Sequence, residues 1–128
     1  MSATENTQAL TGLKLSRRRY TNQMKVNKMI KHIVMFKLKD ADGRTEYENA
    51  LEARKRFDNV IANVKELKRG EVVINSKDAP SSNYTISLLC DFDSIDDLNA
   101  YQVHPAHVEF GKFIGTVKTD RACIDYEY

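Results

Sequence analysis

Tryptophan is absent from this chain, and its 128 residues hold only five glycines and two cysteines. The glycines are scattered, so no glycine-rich loop is present to cradle a phosphate. Two cysteines are too few for a disulfide scaffold. Cys90 and Cys123 both sit in apolar stretches, which reads as lone buried thiols in a reducing compartment. No apolar run approaches the roughly 20 residues that cross a bilayer, and the first residues lack the apolar core of a secretory signal. These absences point to a cytoplasmic protein that makes no membrane contact.

What is present suits one soluble domain. Hydrophobic residues make up 41% and charged residues 30% of the chain, an ordinary balance for a globular fold. The net charge of +2 hides an asymmetry. Residues 1–28 carry Lys14, Arg17, Arg18, Arg19, Lys25 and Lys28 against Glu5 alone, which leaves residues 29–128 mildly acidic. An acidic folded part argues against a nucleic-acid-binding domain. The basic extension has no clear periodicity and is expected to be flexible or loosely packed. Two other readings compete with a tail: an extension upstream of a natural start at Met24 or Met29, and an organellar transit peptide rich in arginine and hydroxyl residues.

The apolar pattern begins at Met29. His32, Val34, Phe36 and Leu38 alternate with Ile33 and Met35, the pattern of a strand with two apolar faces. A turn at Asp40–Gly43 leads into a helix over roughly residues 44–65, marked by Tyr47, Ala50, Leu51, Phe57, Val60, Ile61 and Val64. Strands are expected at 71–75, 84–92 and 122–126. Ser94 to Asp97 has the form of a capping box that starts a short helix. Pro105 suits the first turn of another. The order β-α-β-β-α-β gives an α+β fold, a four-stranded antiparallel sheet with helices on one face. Ile33, Met35, Val73 and Leu89 then lie on the other face, and apolar surface of that extent calls for a partner such as a second copy.

Residues 101–111, Tyr-Gln-Val-His-Pro-Ala-His-Val-Glu-Phe-Gly, carry the chemistry. Histidine has an unperturbed pKa near physiological pH. His107 is the candidate base and the Tyr101 hydroxyl the candidate donor to a substrate carbonyl. His32 projects toward the helices with Val34 and Phe36. These residues, with Phe110, outline a small-molecule pocket. Each also has a structural reading. His104, placed with the ligand-binding residues, would equally well cap the helix that follows it. Tyr101 would be a core residue whose hydroxyl finds a partner, and His32 a buried histidine with one hydrogen bond. His-x-x-His is also a metal-ligand spacing. Against a metal stand Pro105, which holds His104 at the helix boundary, and the lack of a local cysteine or a supporting carboxylate that would complete the pattern. No metal and no cofactor is assigned.

The segments Met29–Asp40 and Tyr101–Val108 resemble the stress-responsive dimeric A/B barrel family, over residues 29–128. The resemblance implies a ferredoxin-like protomer and a homodimer whose two sheets form an α/β barrel. It also implies a pocket with Tyr101, His107 and His32 at the positions of a polyketide cyclase of the family, which closes a linear poly-β-keto thioester by intramolecular aldol condensation. Two functions follow: a barrel that binds a small molecule without catalysis, and a cyclase-like enzyme. The two differ in what the pocket must contain.

Overall fold

The computed structural model describes residues 28–128. All of the basic extension except Lys28 lies outside the described residues. Seven elements follow in order: β1 Ile30–Leu38, α1 Glu46–Asn63, β2 Arg69–Ile74, β3 Ile86–Phe92, α2 Ile95–Val103, α3 Pro105–Val117 and β4 Lys118–Glu127. The sheet order is β2-β3-β1-β4, with every pairing antiparallel. This is the ferredoxin-like arrangement. The first strand is central, and both its neighbours come from later in the chain.

Strand alternation in β1 is complete. Ile30, His32, Val34, Phe36 and Leu38 are buried beneath the helices. Their partners on β3 are Ile86, Leu88, Cys90 and Phe92, also buried. α1 starts at a capping box: Thr45 accepts from the Glu48 amide, while Glu48 reaches back to the Thr45 amide. Asp40 adds a third acceptor, for the Glu46 amide at 2.7 Å. Asp42 and Gly43 make the turn with positive φ angles.

The buried stripe of α1 is Asn49, Ala50, Ala53, Phe57 and Val60, shifted from the expected one. Tyr47, Leu51 and Ile61 are exposed. Asn49 belongs to the core because its amide nitrogen donates to the carbonyls of Lys39 and Ala41, tying the helix to the end of β1. α3 contributes Phe110, Phe113, Ile114 and Val117. Phe110 meets Phe57 edge to face at 5.1 Å between centroids.

The last strand is longer than the sequence suggested, starting at Lys118 instead of near 122. Its polar opening pairs with β1 along the full length of that strand, so backbone hydrogen bonding to a central strand outweighs the unfavourable composition. Leu38 pairs with Lys118 and Lys37 with Asp120, so Thr119 is an extra residue in the ladder. This β-bulge brings Lys118 and Arg121, three apart, onto the same side of the sheet.

The opposite face of the sheet is bare. Met35 is 36%, Val73 37% and Ile124 59% exposed there. The Ser87 hydroxyl, between Met35 and Val73 in the ladder, is buried without a hydrogen-bond partner. Among the described residues no helix is long and apolar enough to cross a membrane.

Candidate functional site

Between the helix-facing side of the sheet and α3 lies a cavity of about 180 Å³. Val34, Phe36 and Leu88 form its floor, and Phe110, Gly111 and Ile114 its roof. His32 and His107 supply imidazoles, Gln102 lies at the end of α2, and Lys118 and Arg121 enter from β4. A larger groove of about 480 Å³ runs over the bare face beside Met35 and Ser87. Its lining has no histidine or charged side chain, whereas the smaller cavity has both.

His32 is buried in the middle of the central strand. Its cross-strand neighbour on β4 is Asp125, and His32 Nδ1 donates to Asp125 Oδ1 at 2.5 Å. Cys123 Sγ lies 3.6 Å from the same nitrogen and 3.8 Å from the same oxygen. Cys123 is therefore not the buried thiol expected from its apolar neighbours. It is exposed, and a histidine and a carboxylate accompany it. Burial and the Asp125 charge both push its thiol upward, which keeps it protonated. Among the described residues, the ligand atoms of His32, Cys123 and Asp125 form the one cluster tight enough to consider for a metal. Two light ligands of a tetrahedral zinc stand roughly 3.3 Å apart. The shorter His32–Asp125 contact is that of a hydrogen-bonded pair. His104 and His107 belong to no such cluster.

His104 ends α2 and caps α3, its Nδ1 accepting from the Ala106 amide at 3.0 Å. It does not line the cavity. One turn later, His107 faces the cavity from the first turn of α3. Its Nδ1–H donates to the Gln102 carbonyl at 3.2 Å, which leaves Nε2 with a lone pair and no protein partner among the described residues. Burial lowers the His107 pKa below the ordinary histidine value. The Gln102 carbonyl opposes that shift, and the positive charge of Arg121 adds to it. A neutral imidazole with an open Nε2 is the form a general base needs.

Tyr101 is fully buried, and its ring packs against His107 at 4.4 Å and His32 at 6.0 Å between centroids. Its hydroxyl is 3.9 Å from Cys90 Sγ and does not reach the cavity lining. Burial drives the phenol far above its usual value and pushes the Cys90 thiol up to about 12. As placed, Tyr101 is the wall that holds both imidazoles. The sequence candidates thus divide. His32, His107, Val34, Phe36 and Phe110 converge on one cavity, Tyr101 stands behind it, and His104 lies outside it. Lys118 and Arg121 were missed because simple alternation puts residues three apart on opposite faces, and only the bulge at Thr119 reverses that.

The profile of the stress responsive A/B barrel domain matches residues 30–128. The chain belongs to that family. It is 28% identical over 82 residues to olivetolic acid cyclase of Cannabis sativa, covering 64% of this chain and 79% of that protein. An uncharacterised protein of Streptomyces coelicolor is 34% identical over 79 residues, covering 62% of this chain and 79% of its own length. A solved structure from Bacteroides fragilis, described as a dimeric protein of unknown function with a ferredoxin-like fold, is 35% identical. It superposes with a TM-score of 0.68 over 78% of this chain and 96% of that one. The A/B barrel domain here thus has both an enzyme and proteins without an assigned activity among its relatives.

The half-buried His107, its pKa lowered by desolvation, has a consequence for stability. Folding lowers its pKa, so the unfolded chain binds the proton more tightly. Stability falls as pH drops below the unfolded histidine value of about 6.5, and the loss is complete at the folded pKa. Denaturant melts across this range are expected to show a shallower pH slope for His107→Gln than for the native chain. Equal slopes would mean that the ring is solvated.

Proposed function

We propose that this A/B barrel domain is a homodimer in which each protomer binds a small molecule in the cavity between sheet and helices, with His107 Nε2 as the group that meets it. The observation that carries the reading is the cavity itself. It is apolar in floor and roof, and the one unpartnered basic nitrogen of His107 faces it. Two free thiols and the absence of a membrane-crossing helix among the described residues support a cytoplasmic location.

Gly111 offers a direct test. It lines the cavity, and an added Cβ would meet nothing within 4 Å. Gly111→Leu is expected to keep the fold, since leucine is the better helix former, while filling the cavity. Small molecules that shift the His107 ring resonances of the native chain should not shift those of the variant. Binding that survives in Gly111→Leu would place the ligand elsewhere.

A second reading is favoured by the Nδ1–H tautomer of His107 and the likeness to olivetolic acid cyclase. An open Nε2 is placed to remove a proton between two carbonyls, the first step of an aldol cyclisation. Turnover of poly-β-keto thioesters that disappears in both His107→Ala and Gly111→Leu would select this reading. Tyr101 then serves by positioning the imidazole.

The homodimer is supported by the bare sheet face and by the dimeric relative from Bacteroides fragilis. A second sheet would cover Met35, Val73 and Ile124. Met35→Glu puts a charge at the centre of that face, where burial without a partner is costly. Sedimentation should show a native dimer and a dissociated or unfolded variant. A native chain that is monomeric at micromolar concentration would contradict the dimer.

A further inference from the structure

The cavity has an electrical polarity that its apolar floor does not predict. On its open side stand Lys118 and Arg121, and no lining residue is acidic. Among the described residues, neither cation has a carboxylate within ion-pair distance. The nearby carboxylate Asp125 is already held by His32. Asp120 is held too, accepting from the Tyr84 hydroxyl and from the Arg121 backbone amide. The two cations share one side of the sheet only because of the bulge at Thr119. Bulges are a recurrent means of re-aiming side chains next to sites.

Resting on the pocket reading above, we infer that the ligand is a small amphiphilic carboxylate, an acyl or aryl acid whose apolar body enters the cavity and whose carboxylate meets Arg121 and Lys118 at the open edge beside β4. The size fits. A dry cavity of about 150 Å³ accepts benzene, so about 180 Å³ takes one ring or a short chain and leaves the head group outside. The guanidinium fork matches a carboxylate through two parallel hydrogen bonds, and the lysine supplies a second, mobile charge. The edge is open because α2 and α3 do not cover β4: Arg121, Cys123 and Asp125 are all exposed. The carboxylate would then lie at the wet rim while the acid's α- and β-carbons lie toward His107.

Matched pairs of probes test the charge separately from the pocket. Benzoate and hexanoate are compared with benzamide and hexanamide by calorimetry at low salt, with the His32 and His107 ring resonances as the reporter of location. The carboxylates are expected to bind about tenfold or more tighter than their amides, and all four should shift both imidazoles. Lys118→Gln/Arg121→Gln should remove that preference, with the amides still shifting both imidazoles. If amides bind the native chain as tightly as carboxylates, or the double variant keeps the preference, the charge assignment is overturned while the pocket stands. If neither kind of probe shifts the imidazoles, the pocket reading falls together with the inference.

Discussion

A buried imidazole needs a partner, and here the partner comes from the last strand of the chain. His32 is the one polar residue in the helix-facing row of β1, between Ile30 and Val34. Left without a hydrogen bond it would cost about 1–3 kcal/mol. Asp125 meets this need only if β4 pairs with β1 in the register that sets it opposite His32. A slip by one residue would turn Asp125 to the other face and bring Ile124 into its place. The same register sets Cys123 beside Val34 and Arg121 beside Phe36, so the polar side of the cavity follows from the polar pair in the sheet.

The three histidines end in three different employments, each set by what Nδ1 touches. In His32 it is committed to a carboxylate. In His104 it accepts an amide at a helix start. In His107 it donates to a carbonyl, and the ring, like that of His32, lines the cavity. The two faces of the sheet differ in the same way. One is closed by helices around a small cavity, and the other presents Met35, Val73 and Ile124 with the unpartnered Ser87 hydroxyl among them. The proposed binding cavity and the proposed association surface thus lie on opposite sides of one four-stranded sheet.

Much of this was legible in the sequence. The alternation in β1 assigned His32, Val34 and Phe36 to the helix side, and Pro105 fixed where α3 begins, hence where His107 points. The capping role considered for His104 matches its bond to the Ala106 amide. Other features were hidden for physical reasons. Apolarity alone could not separate Ile61, which is exposed, from Asn49, which is buried because its amide is paired. The polar opening of β4 gave no strand signal, since its pairing is imposed by β1. Cys123 looked buried by its neighbours in sequence, yet it lies on an edge strand that the helices leave uncovered. Lys118 and Arg121 depended on a bulge, which a strict period of two cannot show.

The proposed chemistry of the cavity depends on one proton: a neutral His107 imidazole that carries its hydrogen on Nδ1 and offers Nε2 to a ligand. Long-range proton–nitrogen correlation spectra of the ring, recorded above its titration, read this directly. The geometry predicts an Nδ1 of protonated character bonded to the Gln102 carbonyl and an Nε2 of bare, lone-pair character. A ring found predominantly as the Nε2–H tautomer, or still protonated at neutral pH, would contradict it.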